Sequence, residues 1–162
     1  MLSIVGGSKV SSKLKVIKNL SKISDDVLTG GGITNTILKA QGHNIGLSLH
    51  EDSMLNDAKE LLDTGKILLP DEVVVSKDIE SNNTRVTKVN SVQHDEIILD
   101  QILSPAIIKK IIQAKKIIWN GPVGVFERQP FSSGTKALAE AIASSQAFTL
   151  AGGGETLLAI KM

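Results

Sequence analysis

Four times in this 162-residue chain an apolar run ends in a glycine-rich turn. The runs are Ser3-Ile4-Val5-Gly6-Gly7, Val27-Leu28-Thr29-Gly30-Gly31-Gly32, Ile117-Ile118-Trp119-Asn120-Gly121-Pro122-Val123-Gly124 and Phe148-Thr149-Leu150-Ala151-Gly152-Gly153-Gly154. Glycine lets the backbone turn sharply and approach a ligand with no side chain in the way. The first, second and fourth turns lead almost at once into helix-like patterns. A helix opening there aims unpaired N–H groups and the positive end of its dipole at whatever lies above, which suits phosphate. If the runs are parallel strands, all four turns share one rim of the sheet, where open α/β folds bind ligands. The chain reads as a platform for nucleotide phosphates.

The elements that must hold these turns follow from periodicity. After Gly7, Val10, Leu14, Ile17 and Leu20 recur at helical spacing, with Lys13, Lys15, Lys18 and Lys22 on other faces. Residues 26–28 read as a strand, and Ile33, Ile37 and Ala40 mark a second helix ending near Gly42. Met54, Leu55, Ala58, Leu61 and Leu62 mark a third, with Asp52 or Ser53 as N-cap and Gly65 past its end. Residues 66–69 and 73–76 are short β-like runs broken by Pro70, and residues 85–89 alternate. This pattern predicts an antiparallel ribbon attached to the main sheet, with residues 97–99 a further strand. Ser104 before Pro105 opens a helix whose buried stripe is Ile107, Ile108, Ile111 and Ile112. A strand at 116–119, a loop to Phe131, a helix through Leu138, Ala141 and Ile142, a strand at 147–150 and the start of a last helix complete the chain.

Alternating strands and helices predict one Rossmann-like, three-layer α/β domain over residues 1–162. It has a mainly parallel sheet, helices on both faces and a small antiparallel ribbon in the middle. A strand begins at residue 2, and the last helix has barely begun when the chain stops at Met162. The expectation is a domain truncated at both ends.

Composition narrows the function. The hydrophobic fraction of 41% favours an ordered core, while 14 glycines suit a turn-rich design. A formal charge of +1 and an aromatic content of 2% provide neither a field nor a stacking surface for nucleic acid. With no cysteines, disulfide frameworks and thiolate metal sites are excluded. No basic-then-apolar leader or long uncharged apolar run is present, so a soluble protein with no membrane partner is expected. His43, His50 and His94 lack metal-ligand spacing, and the serines lack a partnered base for nucleophilic catalysis. Neither G-x-x-x-x-G-K-[ST] nor G-x-G-x-x-G in register occurs.

The specific strings carry more. Gly6-Gly7-Ser8-Lys9-Val10-Ser11-Ser12-Lys13, Gly30-Gly31-Gly32, Trp119-Asn120-Gly121-Pro122-Val123-Gly124-Val125-Phe126-Glu127 and Gly152-Gly153-Gly154-Glu155-Thr156 closely resemble phosphoglycerate kinase, in that family's order. The resemblance covers essentially the whole chain and matches most of the family's C-terminal, nucleotide-binding domain. It implies reversible phosphoryl transfer between 1,3-bisphosphoglycerate and ADP, a glycolytic step in the cytoplasm, with Mg²⁺ and ADP or ATP bound here.

Carried over by motif, Lys9 and Lys13 are the catalytic and phosphate-meeting cations, and their i, i+4 spacing puts both on one helix face. Gly7, Gly31, Gly32, Asn120, Pro122, Val123, Gly153, Gly154 and Thr156 surround the nucleotide, and Trp119 belongs to the core. Glu127 accepts from the ribose hydroxyls, while Glu155 faces the magnesium ion. The family has Asp where Glu155 stands, and a water-bridged contact would absorb the extra methylene. In the family 3-phosphoglycerate binds through an N-terminal domain, which these residues do not include. The chain alone is therefore expected to bind Mg-nucleotide weakly, not to turn over, and to be able to self-associate although the family is monomeric. The alternatives are a stand-alone nucleotide-binding module and a structural or interaction remnant.

Overall fold

All five residues of the first strand, β1 (Leu2–Gly6), are buried, and a strand with no polar face needs cover on both sides. In the computed structural model, which describes residues 1–161, it gets that cover. Chain order continues with α1 (Val10–Ile23), β2 (Asp26–Gly30), α2 (Gly32–Ala40), α3 (Leu55–Asp63) and β3 (Ile67–Leu68). Next come β4 (Glu72–Ser76), β5 (Arg85–Lys88), β6 (Ile97–Ile102), α4 (Pro105–Gln113), β7 (Lys116–Asn120), α5 (Ser133–Ala143), β8 (Phe148–Ala151) and α6 (Gly154–Ile160). The main sheet has the order β3-β2-β1-β7-β8, parallel throughout.

Successive side chains of a strand point to opposite faces, so Val5 and Ile4 serve different layers. Val5 joins Val10, Leu14 and Ile17 of α1, Ile33 and Ile37 of α2 and Leu61 of α3. Ile4 joins Ile107 and Ile111 of α4, Trp119 and Leu138 of α5. This is the expected mixed α/β architecture. Ser104 caps α4, accepting from the Ile107 amide at 3.4 Å, with Pro105 in the first turn.

Three local details differ from the periodicity reading. Residues 66–69 do not begin the ribbon, because Ile67 and Leu68 pair in parallel with Val27 and Leu28 at the edge of the main sheet. Nor is the ribbon attached to the main sheet: β4 is flanked by both β5 and β6 in a separate antiparallel sheet. The buried run Val73-Val74-Val75 needs hydrogen-bond partners along both edges, and a hairpin supplies one. Third, neither Asp52 nor Ser53 caps α3. Residues Asp52–Met54 form a single 3₁₀ turn and Met54 precedes the helix without a side-chain cap. The Asp52 carboxylate is instead engaged by Lys39 Nζ at 2.7 Å.

β8 ends the main sheet, and there Phe148 and Leu150 stay exposed, as do Leu157, Leu158 and Ile160 of α6. Among the described residues no helix is long and apolar enough to cross a membrane.

Candidate functional site

Parallel register brings the C-terminal ends of β1, β2, β7 and β8 to one edge. Val5 lies opposite Thr29 on one side and Asn120 on the other, and Trp119 lies opposite Ala151. All four glycine-rich turns therefore meet, beside a groove of about 490 Å³. Gly7, Gly31, Gly32, Pro122, Val123, Glu127 and Glu155 line it, with Leu47, Leu49, Leu99 and Val125 forming an apolar wall. Glu127 and Glu155 are both exposed to solvent there.

A hydrogen-bonded chain joins three of the turns. Lys13 Nζ donates to Asn120 Oδ1. Asn120 Nδ2 donates to the Gly152 carbonyl at 2.9 Å, which also accepts from the Thr156 hydroxyl at 2.8 Å. Thr156, wholly buried, in turn accepts the Gly121 amide hydrogen at 2.7 Å. Residues far apart in sequence thus converge: Lys13, Asn120, Gly153 and Thr156 occupy one neighbourhood. Lys9 stands apart from that chain. It is the exposed N-cap residue of α1 with extended ψ of 96°, so the helical ladder that places Lys13 does not orient it. Trp119 is core, as expected, 2% exposed with its indole N–H donated to the Gly121 carbonyl at 2.9 Å.

β1 and β7 are in backbone contact where their turns meet. A Cβ on Gly6 would fall 1.8 Å from the Pro122 carbonyl oxygen, and one on Gly121 would fall 2.4 Å from that of Gly6. Gly121 also has φ of +108°, a conformation side chains rarely adopt. The two central strands can close on each other only with glycine at both points.

Two acidic residues escaped the sequence reading. Glu51 places its carboxylate at the start of α1, accepting from the Val10 amide at 2.7 Å and the Ser11 amide at 3.2 Å. Burial works against its charge, but the hydrogen bonds from Ser11 and Val10 outweigh it and hold the carboxyl below its ordinary value. The expectation of unpaired amides at this helix is thus corrected for the first two, Val10 and Ser11, which Glu51 already satisfies. The second residue is Asp100 on β6, 1% exposed and also lining the groove. A lone acid after the apolar run Ile97-Ile98-Leu99 was its only sequence signal.

No preformed cage of three or more acidic or histidine side chains exists among the described residues. Mg²⁺ is commonly held by one or two carboxylates plus ligand phosphates and waters. Glu155 at the groove's edge is a fitting single carboxylate.

The family model of phosphoglycerate kinase matches residues 1–162. The phosphoglycerate kinase of Baumannia cicadellinicola subsp. Homalodisca coagulata is 51% identical over 99% of this chain, which spans 42% of that relative. The solved phosphoglycerate kinase from Coxiella burnetii superposes with a TM-score of 0.92 at 40% identity, over 99% of this chain and 43% of that one. The enzyme from Pyrococcus horikoshii gives 0.80 at 30% identity, with 99% and 43% covered. The chain thus spans less than half the length of the relatives it matches. With residues 1–162 inside the matched region, the chain belongs to the phosphoglycerate kinase family.

Proposed function

We propose that residues 1–162 form the nucleotide-binding domain of a phosphoglycerate kinase and that the groove takes Mg-ADP or Mg-ATP. The observation that carries this reading is the chain of hydrogen bonds from Lys13 through Asn120 and Gly152 to Thr156 and Gly121. It ties turns of β1, β7 and β8 into one polar edge beside an apolar wall. The base packs on Leu47, Leu49, Leu99 and Val125, and Glu127 accepts from the ribose hydroxyls. Lys13, with Lys9 beyond it, neutralises phosphate oxygens, and the Gly153-Gly154 turn meets them with backbone. Bound through Glu155, Mg²⁺ would offset phosphate charge.

Phosphoryl transfer asks mainly for such positioning and charge neutralisation. The transferred group passes between the acyl phosphate of 1,3-bisphosphoglycerate and the terminal oxygen of ADP, in the cytoplasm. The acid substrate is met by a separate N-terminal domain in the full-length enzyme. Without closure of two halves the reacting atoms are not aligned, so these residues alone bind nucleotide without turnover.

Titration calorimetry with Mg-ADP tests the reading. Lys13→Ala is expected to weaken binding about tenfold to a hundredfold, the size of one charge-assisted contact, while the melting temperature holds. Equal affinity in the two proteins would overturn the assignment. A second reading, self-association, is favoured by the apolar side chains left exposed at Phe148, Leu150, Leu157 and Leu158. Sedimentation velocity on residues 1–162 is expected to show dimers or larger species that Phe148→Lys disperses; a monomer at all concentrations rejects it.

A further inference from the structure

Three consecutive residues of β6 each tie down a different segment of the chain. The Leu99 carbonyl accepts the Val125 amide hydrogen at 2.8 Å. Gln101, 2% exposed, donates its side-chain N–H to the Thr29 carbonyl, at the end of β2, at 3.0 Å. Between them, Asp100 Oδ2 accepts from the Gly134 amide at 2.7 Å and the Ser133 hydroxyl at 3.0 Å.

That carboxylate caps α5 from another element. Ser132, at the helix's own N-cap position, makes no capping bond, and its hydroxyl donates backwards to the Gln129 carbonyl at 2.9 Å. The first amides of a helix have no intrahelical acceptor, and Asp100 supplies one. The next residue of α5, the wholly buried Thr135, accepts the Val123 amide hydrogen at 3.2 Å. A continuous path therefore runs from Asp100 through the first turn of α5 into the loop of residues 120–125. The other carboxylate oxygen, Oδ1, has no hydrogen-bond partner. It is lodged between two glycines: a Cβ at Gly124 would lie 2.1 Å from it and one at Gly134 2.5 Å.

We propose that Asp100 is a positioning residue of the groove, a buried cap outside the glycine-rich turns that fixes the start of α5 and, through Thr135, the loop of residues 120–125. The consequence for nucleotide affinity rests on the function proposed above. The consequence for loop order does not. Trp119 is the one tryptophan of the chain and is bonded to the Gly121 carbonyl, so its emission reports the loop without any ligand.

The test compares the full chain with Asp100→Ala, which removes the acceptor, and Asp100→Asn, which keeps one oxygen for Gly134 and Ser133. Trp119 emission and amide hydrogen exchange are read first without ligand, then Mg-ADP is titrated. Asp100→Ala is expected to shift the emission, speed exchange at Val123 and Val125 at least about tenfold, and weaken Mg-ADP about tenfold. Asp100→Asn is expected to restore all three. Unchanged emission and exchange in Asp100→Ala, or no rescue by Asp100→Asn, overturns the proposal. Thr135→Val cuts the same path one link later and should speed exchange at Val123; no change there overturns the proposal even if Asp100→Ala does not fold. If the parent chain binds no Mg-ADP but the loop responds as stated, the function proposed above fails and the positioning role stands.

Discussion

Gly6→Ala is expected to destabilise the protein by about 3 kcal/mol or more, at or beyond the upper end of overpacking costs, and to abolish Mg-ADP binding. The added methyl would sit 1.8 Å from the Pro122 carbonyl oxygen and 2.8 Å from its carbon. Neither atom belongs to a flexible side chain that could swing away. Relief requires β1 and β7, hydrogen-bonded neighbours at the centre of the sheet, to part where their turns meet. Gly121 reinforces the constraint from the opposite side, since it too presses its backbone on Gly6. Urea unfolding of Gly6→Ala measures the cost. Gly154→Ala is the matched control, because a Cβ there meets nothing within 4 Å. Equal midpoints for the two variants would refute the backbone-contact account.

The second large effect is a pH dependence carried by Asp100. Burial pushes its carboxyl up to about 6 from the ordinary 3.8, against the opposing hydrogen bonds from the Gly134 and Gln101 amides and the Ser133 hydroxyl. The folded protein therefore holds this proton more tightly than the unfolded chain does. Its contribution to stability is fully present below the ordinary value and is lost as pH rises through about 6. A gap of roughly two units corresponds to about 3 kcal/mol. Asp100→Asn does not titrate, so the stability of the parent relative to this variant should fall by about 3 kcal/mol between roughly pH 3.5 and pH 7.5. Any fixed cost of burying the amide shifts the whole curve without changing that slope. Other carboxyls cancel in the comparison. Glu96, for example, is held below its ordinary value by the Arg85 hydrogen bond despite burial, equally in both proteins. A difference that stays flat across that range rules out a buried, proton-binding Asp100.

The convergence of the four turns was readable because parallel βαβ units put every strand's C-terminal end on the same side. The start of α4 at Ser104-Pro105 was readable for an equally local reason. The partner sheet of Ile67 and Leu68 was not, since two apolar residues fit either sheet and only the edge left open by β2 decides between them. The same holds for Glu51, whose donors, the Val10 and Ser11 amides, lie about 40 residues back.

By itself, then, the amino-acid order determined the alternation of elements, the glycine turns and the family, because each depends on neighbours within a few positions. Only the folded structure decided that Glu51 fills the start of α1, that Asp100 caps α5 and that Gly124 leaves room for it. Those outcomes depend on which charged group arrives next to unsatisfied amides once the chain has packed. Contacts across such distances are settled by the exclusion of water and space in the core, which no local pattern records.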